Sequence, residues 1–489
     1  MESLHQSHHE TYRAIVLGRG GIDLLLVRTA GRFVLPTVEI PRCERVAANL
    51  TSALKIKYGC EAVCLFSPDK AVLPPPGKTC NYQVLELIRT TTEHKPPAEW
   101  LRVNCLSEKE FADPTDYAIA QRSVIKSTGQ ASAVQEPFVR VGWFRQLQDW
   151  AEQTIRPRGL HLTGTFSQLN ASPAFSLVRF DTSGPAVWFK AVGEPNLHEF
   201  PITLALAKCL PGHVPQVLGT RPEWKGWLAL EAKGIDLGQS SDLRDWQTAA
   251  ESLAKLQLES LHHVGVIIEA GARELTPFYL SAMTRPFFAV MNELMEQQGR
   301  TPPPMLTRPE LMMLCDRLDE SLSVMEKLRL PYTLGHLDPN PGNIFLSQSG
   351  ITFLDWAEAY IGNPFLSFQY LLEHFRRTVS RDLQATQGIL EAYAQHWRSL
   401  ISPQTLNRAF AFTPLVAAFT YAALDGLWRD PVRRQNQRFA SYLRSMTRHM
   451  HREANQLNAH IDIKYCQLSS AFAGAHSVPL PAYMSGRSR

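Results

Sequence analysis

At 489 residues the chain exceeds the size at which a single hydrophobic core stops growing, so two or three domains are expected. Apolar residues at 44% and charged residues at 20% exclude a largely disordered chain. A formal charge of +4, with no long basic block, gives no electrostatic case for a nucleic-acid partner. The cysteines Cys43, Cys60, Cys64, Cys80, Cys105, Cys209, Cys315 and Cys466 form no CxxC pair and read as buried free thiols of a reducing compartment.

Met1 to Tyr12 carries His5, His8, His9 and Glu10 and lacks the apolar stretch of a signal peptide. Short β-type runs follow at Ala14–Leu17, Ile22–Val27, Val34–Leu35 and Tyr82–Ile88, interrupted by a helical pattern over Arg42–Tyr58. This predicts an α+β unit with a helix packed on a mixed sheet. The small, polar segment Ala131–Pro137 predicts a domain boundary, ahead of an aromatic helix over Trp143–Thr154. Beyond it come strands at Phe175–Phe180 and Ala186–Ala191, a helix at Glu199–Leu210, and a strand pair near Val214–Leu218 and Trp227–Glu231. Helical patterns then run over Leu243–Leu261, Thr276–Gln298 and Arg308–Leu328. A small sheet-rich lobe followed by a large helical one is the expected order.

Ala411–Trp428, the most apolar later segment, is broken by Thr413, Pro414, Thr420 and Asp425 and reads as a buried helix, so no membrane span and a cytoplasmic location are expected. The Ser, Ala, Gly and Pro content of Gln467–Arg489 predicts a disordered tail.

Chemistry concentrates in Thr333–Phe368, where His336, Asp338 and Asn343 follow an HxDxxxxN spacing and Asp355 closes an apolar run. Phe345–Leu346 and Ile351–Leu354 flank a Gln-Ser-Gly turn and read as a hairpin. Centring it on Ser349 pairs Asn343 with Asp355, which brings one amide oxygen and one carboxylate to the open end as ligands for Mg²⁺. Asp338 sits across the rigid Pro339-Asn340-Pro341-Gly342 loop, where a base would lie, and His336 is a candidate catalytic residue chiefly as a buttress of that loop. As a bland alternative, DPNPGN is simply an Asx and Pro turn between core strands.

This stretch resembles the aminoglycoside phosphotransferase and choline kinase-like family. The resemblance rests on His336-Leu337-Asp338, Asn343, Leu354-Asp355-Trp356 and Gly362-Asn363-Pro364-Phe365, with Leu337 in place of the family's glycine. It implies a bilobal protein-kinase-like fold over about 138–466, with Asp338 as catalytic base and Asn343 and Asp355 as Mg²⁺ ligands. It further implies ATP or GTP as co-substrate, a strand lysine (Lys190) paired with a helix carboxylate (Glu199), and a phosphate loop within Thr163–Pro173, from which Gly164 and Ser167 are candidates. Glu231 closes the segment Leu228–Glu231, where the family's hinge holds the base. Residues 1–135 resemble the Nudix hydrolases over Thr11–Asp116, through Gly31–Pro36 and the helix to Gly59. The metal-binding core of that motif falls on Ser52, Ala53, Leu54, Lys55, Ile56 and Lys57, so hydrolase activity is not expected.

The function expected is a small-molecule kinase acting on a hydroxyl group, the alternative being a nucleotide-binding regulatory protein with little turnover. Asp242, Asp245, Glu251, Glu269 and Glu274 either form a solvated helix face or attract a cationic substrate.

Overall fold

The structure, a computed structural model, describes residues 9–18, 20–41, 44–68, 81–91, 98–129, 136–299 and 303–473, with the backbone alone from 458 onward. It divides into two compact units, Met1–Lys233 and Gly234–Arg489. The first is rich in strands and the second is mainly helical, a mixed α and β architecture as expected.

The first unit opens with β1 (His9–Leu17), β2 (Asp23–Thr29), β3 (Arg32–Val34), β4 (Thr37–Pro41), α1 (Val46–Tyr58), β5 (Cys60–Phe66), β6 (Asn81–Thr90), β7 (Ala98–Arg102) and α2 (Pro114–Thr128). The seven strands form one sheet, in which β1 and β6 run parallel and the other pairs antiparallel. Helix α1 buries Ala47, Leu50, Leu54 and Tyr58 on the sheet and stops at Gly59, whose left-handed φ of 61° is open to glycine at no steric cost.

There follow α3 (Trp143–Ile155), β8 (Leu162–Ala171), β9 (Ser176–Thr182), β10 (Val187–Ala191), α4 (Glu199–Cys209), β11 (Val217–Arg221) and β12 (Gly226–Leu230). The five strands make a second sheet in the order β11-β12-β10-β9-β8. The boundary expected at Ala131–Pro137 does not separate two cores. One apolar cluster runs from Ile15, Leu17 and Val84 through Phe138, Trp143 and Phe144 to Phe180, Phe189 and Leu228. Buried Gln168 of β8 adds a polar seam, since its amide accepts from Cys64 N–H (2.7 Å) and donates to Cys64 C=O (3.1 Å), replacing a strand partner on β5. Residues 131–135 lie outside the described residues.

The second unit contains β13 (Ile235–Asp236), α5 (Leu243–Ser260), α6 (Val264–Glu269), β14 (Arg273–Leu275), α7 (Pro277–Glu296), α8 (Arg308–Lys327), β15 (Thr333–His336), β16 (Ile344–Ser347), β17 (Gly350–Phe353) and β18 (Ala359–Gly362). Five further helices complete it: α9 (Phe365–Thr378), α10 (Leu383–Ala394), α11 (Pro403–Ala423), α12 (Pro431–Gln435) and α13 (Gln437–Ala473). The side chains of Asp242, Thr276 and Thr307 cap α5, α7 and α8, and Thr307 with Glu310 forms a full capping box. Two small sheets, β13-β16-β17 and β14-β18-β15, carry the loops discussed below.

Helix α13 runs to Ala473, into the segment expected to be a tail, and 474–489 lie outside the described residues. Among the described residues no helix is long and apolar enough to cross a membrane. Of the cysteines, Cys60, Cys64, Cys105, Cys209 and Cys315 are free thiols, and Cys43 and Cys80 lie outside the described residues.

Candidate active site

In the second unit β15 delivers His336 to the mouth of the loop that holds Asp338. Gly335 is required there: a Cβ at this position would lie 2.0 Å from the ring of buried Tyr360. His336 is 2% exposed. Its Nδ1 accepts the Asp338 N–H at 3.1 Å, so the ring hydrogen resides on Nε2, which donates to Leu354 C=O at 2.9 Å. Both ring nitrogens thus serve the backbone that flanks Asp338 and Asp355. These two bonds are those of a side chain that supports the loop. Leu337, the departure from the family's glycine, is buried in the helical core of this unit.

Asn340 and Asn343 close the loop: Asn340 Oδ1 accepts Gly342 N–H (3.0 Å), and Asn343 Nδ2 donates to Asp338 C=O (3.3 Å). With its NH₂ turned onto that carbonyl, Asn343 keeps Oδ1 as a hard oxygen donor. The hairpin pairs Ser347 with Gly350 and Ile344 with Phe353, one residue tighter than expected. Ser347 Oγ causes the tightening, since it donates to Gly350 C=O (2.9 Å) and accepts Ser349 N–H (3.2 Å) across a two-residue turn. Asn343 is therefore bonded to Leu354, whose N–H donates to Asn343 C=O (2.8 Å), and the expected pairing with Asp355 does not form. Asp355 instead leaves the strand at φ 64° and ψ 68°, a left-handed conformation that costs a non-glycine residue about 1–2 kcal/mol and that aspartate tolerates better than most. Such strain gathers at functional sites.

Asp338 and Asp355 share a strongly anionic surrounding. Glu358 is open to solvent on one side and enclosed by protein on the others. Burial first, and then the carboxylates of Asp338, Asp355 and Asp425 against the opposing Arg273, raise its carboxyl above the ordinary range. Tyr421 of α11, half exposed, is raised by burial and then by Asp338 and Glu358, and Tyr442 of α13 by burial and then by Tyr421, Asp425 and Glu358. His374 of α9 is lowered by burial and Arg377, with Asp338 opposing. The sequence reading missed this set because Glu358, Asp425, Tyr421 and Tyr442 carry no local motif. The only available signal was the third position after Asp355. Asp242 and Asp245, by contrast, serve α5: the first caps Arg244 N–H (2.9 Å) and the second accepts Ser240 Oγ–H (2.6 Å).

In the first unit Lys190 Nζ lies 2.5 Å from Glu199 Oε1, joining β10 to the start of α4. Glu199 is 2% exposed, and the ring of Trp227, opposite Lys190 on β12, lies 5.9 Å from the ammonium. The expected pair is therefore formed. The three other residues expected to bind the nucleotide are placed as follows. Gly164 and Ser167 lie within β8 and not in a loop, because Phe166 packs on Phe144 (centroids 4.5 Å apart) and Gln168 is locked to Cys64; Gly164, at φ 85°, occupies a break in the strand register. The connection between β8 and β9 is Ser172–Phe175, closed by Ser172 N–H on Phe175 C=O (2.8 Å). At the expected hinge, Leu230 and Glu231 donate their N–H groups to Gln216 and Ala186, and the Glu231 carboxylate holds Arg179 Nε (2.6 Å) and Trp188 Nε1 (3.0 Å). Neither amide is left to read a base.

Among the described residues no three His, Cys, Asp or Glu side chains converge as a metal cage. Asn343 and Asp355 offer two hard oxygen donors, the kind and number Mg²⁺ takes when phosphate and water supply the rest.

Residues 194–401, which contain Glu199, His336, Asp338, Asn343 and Asp355, match the family model of the phosphotransferase enzyme family. The chain is an enzyme of the class that phosphorylates hydroxyl groups. Among solved structures, the macrolide 2'-phosphotransferase of Brachybacterium faecium is 15% identical, covering 61% of this chain and 98% of that one at a TM-score of 0.39. The choline kinase of Streptococcus pneumoniae is 13% identical, covering 64% and 99% at 0.42. The ethanolamine kinase of Plasmodium vivax is 11% identical, covering 61% and 85% at 0.41. No curated protein matches the chain.

Proposed function

We propose that the protein transfers the γ-phosphoryl group of ATP or GTP to a hydroxyl of a small cationic metabolite such as an amino sugar or amino alcohol. The observation that carries this reading is the loop in which His336 and Asn343 hold the backbone on either side of Asp338, within the segment that matches the phosphotransferase family. Asp338 accepts the proton of the attacking hydroxyl. The acceptor oxygen forms its bond to Pγ, and the bond from Pγ to the bridging oxygen breaks with its electron pair leaving on the nucleoside diphosphate. Asn343 and Asp355 would hold Mg²⁺, which when bound neutralises charge on the phosphates. Lys190, oriented by Glu199, is the cation for the nucleotide's phosphates.

The acceptor class follows from charge. Asp338, Asp355, Glu358 and Asp425 act on one another's neighbourhood together with the half-exposed Tyr421, a surface that favours a cation and disfavours a second anion. Residues 1–135 we read as a Nudix-like domain without hydrolase activity. Helix α1 has no acid in its first turn, and the carboxylate positions of that motif fall on Ala53, Ile56 and Lys57, none of them acidic.

The test is Mg²⁺-dependent phosphorylation of a panel of amino sugars, choline-like amino alcohols, nucleosides and neutral sugars, with ATP and GTP. A phosphorylated cationic acceptor supports the reading. A neutral acceptor phosphorylated in preference overturns the acceptor class, and tight nucleotide binding with no product favours the regulatory alternative.

A further inference from the structure

A buried carboxyl of the first sheet holds the start of helix α3. Glu86 of β6 is 7% exposed. Its Oε1 accepts the N–H of Gly142 at 2.9 Å, the residue that caps the N-terminus of α3 with φ 92°. Its Oε2 is buried with no hydrogen-bond partner among the described residues. Opposite Glu86 on the neighbouring strands stand apolar Leu17 on β1 and Val63 on β5, and the one charged group that acts on it is Arg145 in the first turn of α3. A carboxylate here has one amide and a distant guanidinium for company, whereas a carboxylic acid could spend its proton on a neighbouring acceptor.

Helix α3 is also what supports the strand of Lys190. Trp150 of α3 meets Phe189 edge to face (centroids 6.1 Å apart), Phe138 meets both Trp143 (4.9 Å) and Phe189 (6.2 Å), and Phe189 immediately precedes Lys190 on β10. Glu86, Gly142, α3, Phe189 and Lys190 form one continuous packed line inside the first unit.

We infer that Glu86 is a proton-sensitive latch, through which the protonation state of one buried carboxyl sets how tightly the N-terminal sheet grips the helix behind the Lys190 strand. Burial, against the opposing Gly142 N–H and Arg145, pushes the Glu86 carboxyl from 4.5 up to about 7, within the neutral range. The sign follows from linkage. The native carboxyl holds its proton more tightly than an opened one, so the latch is tight below the opened value. It loosens as pH rises toward 7, by up to about tenfold per pH unit, and levels off above.

The experiment is hydrogen exchange of the full-length chain across pH 5 to 8, corrected for intrinsic exchange, read over residues 142–155. The wild type is expected to lose on the order of tenfold protection per unit up to about pH 7 and then to plateau. Glu86→Gln, which keeps an acceptor for Gly142 but cannot ionise, is expected to give a flat profile. Arg145→Ala, on an exposed side chain, is expected to move the plateau to higher pH. A flat wild-type profile, or the wild-type slope retained in Glu86→Gln, overturns the inference. Should Glu86→Gln not fold, an unmoved plateau in Arg145→Ala overturns it alone.

Discussion

Replacing His336 with leucine tests the positioning role directly. The side chain is 2% exposed, and leucine fills similar space with no polar atom, so the loss includes two hydrogen bonds, one to Leu354 C=O and one from Asp338 N–H, together with the ring contact to Trp356 (centroids 4.8 Å apart). Each buried backbone group left without its partner costs about 1–3 kcal/mol, which gives about 2–6 kcal/mol for the pair. Because the chain forms two compact units, a single unfolding midpoint is not a clean readout, and local hydrogen exchange over residues 337–343 and 353–356 is preferred. Exchange there is expected to accelerate by at least about thirtyfold, the equivalent of 2 kcal/mol, with phosphoryl transfer falling in parallel while nucleotide affinity changes little. His336→Gln, which can still donate toward Leu354, is expected to fall between leucine and wild type. An exchange rate within twofold of wild type in His336→Leu would falsify the positioning role.

Asp355→Gly removes a left-handed strain of about 1–2 kcal/mol, so it is expected to raise or hold stability in thermal unfolding while abolishing Mg²⁺-dependent nucleotide binding by calorimetry; retained Mg²⁺ dependence contradicts the ligand assignment. Lys190→Met removes the ammonium partner of the 2% exposed Glu199 and is expected to destabilise the first unit by about 3–5 kcal/mol, with Lys190→Met/Glu199→Leu recovering most of it in the same denaturation series. Equal stability of the single and double variants would show that the pair is not a buried ion pair. Glu358, raised above 4.5, is expected to lose its charge earlier than an ordinary carboxylate as pH falls, so KM for a cationic acceptor rises from that point downward. Glu358→Gln is expected to remove that segment of the pH profile, and an unchanged profile refutes Glu358 as part of the acceptor surface.

The helices of the second unit were legible because their apolar spacing is bounded by Asp242, Thr276 and Thr307, side chains that satisfy the first free amides. Strand β5 was not, since all seven of its residues are buried and no alternation marks it. Strand β8 has the composition of a turn, and its ladder to β9 together with the contacts of Phe166 on Phe144 and Gln168 on Cys64 holds it extended. The motif of Asp338, Asn343 and Asp355 was readable as spacing, but its geometry was not: the hairpin slipped by one residue on the hydroxyl of Ser347, and Asp355 left the strand through a positive φ that no pairing rule anticipates. Tyr421, Asp425 and Tyr442 reach the neighbourhood of Glu358 through helix packing between α11 and α13, a relation with no trace in local sequence.

The measurement closest to the central claim compares wild type with Asp338→Asn in Mg²⁺-dependent phosphoryl transfer to the best acceptor of the panel, alongside nucleotide affinity. The account predicts unchanged folding and nucleotide affinity with turnover reduced by at least about 10²-fold, the loss expected for a general base. Turnover within a few-fold of wild type in Asp338→Asn contradicts it.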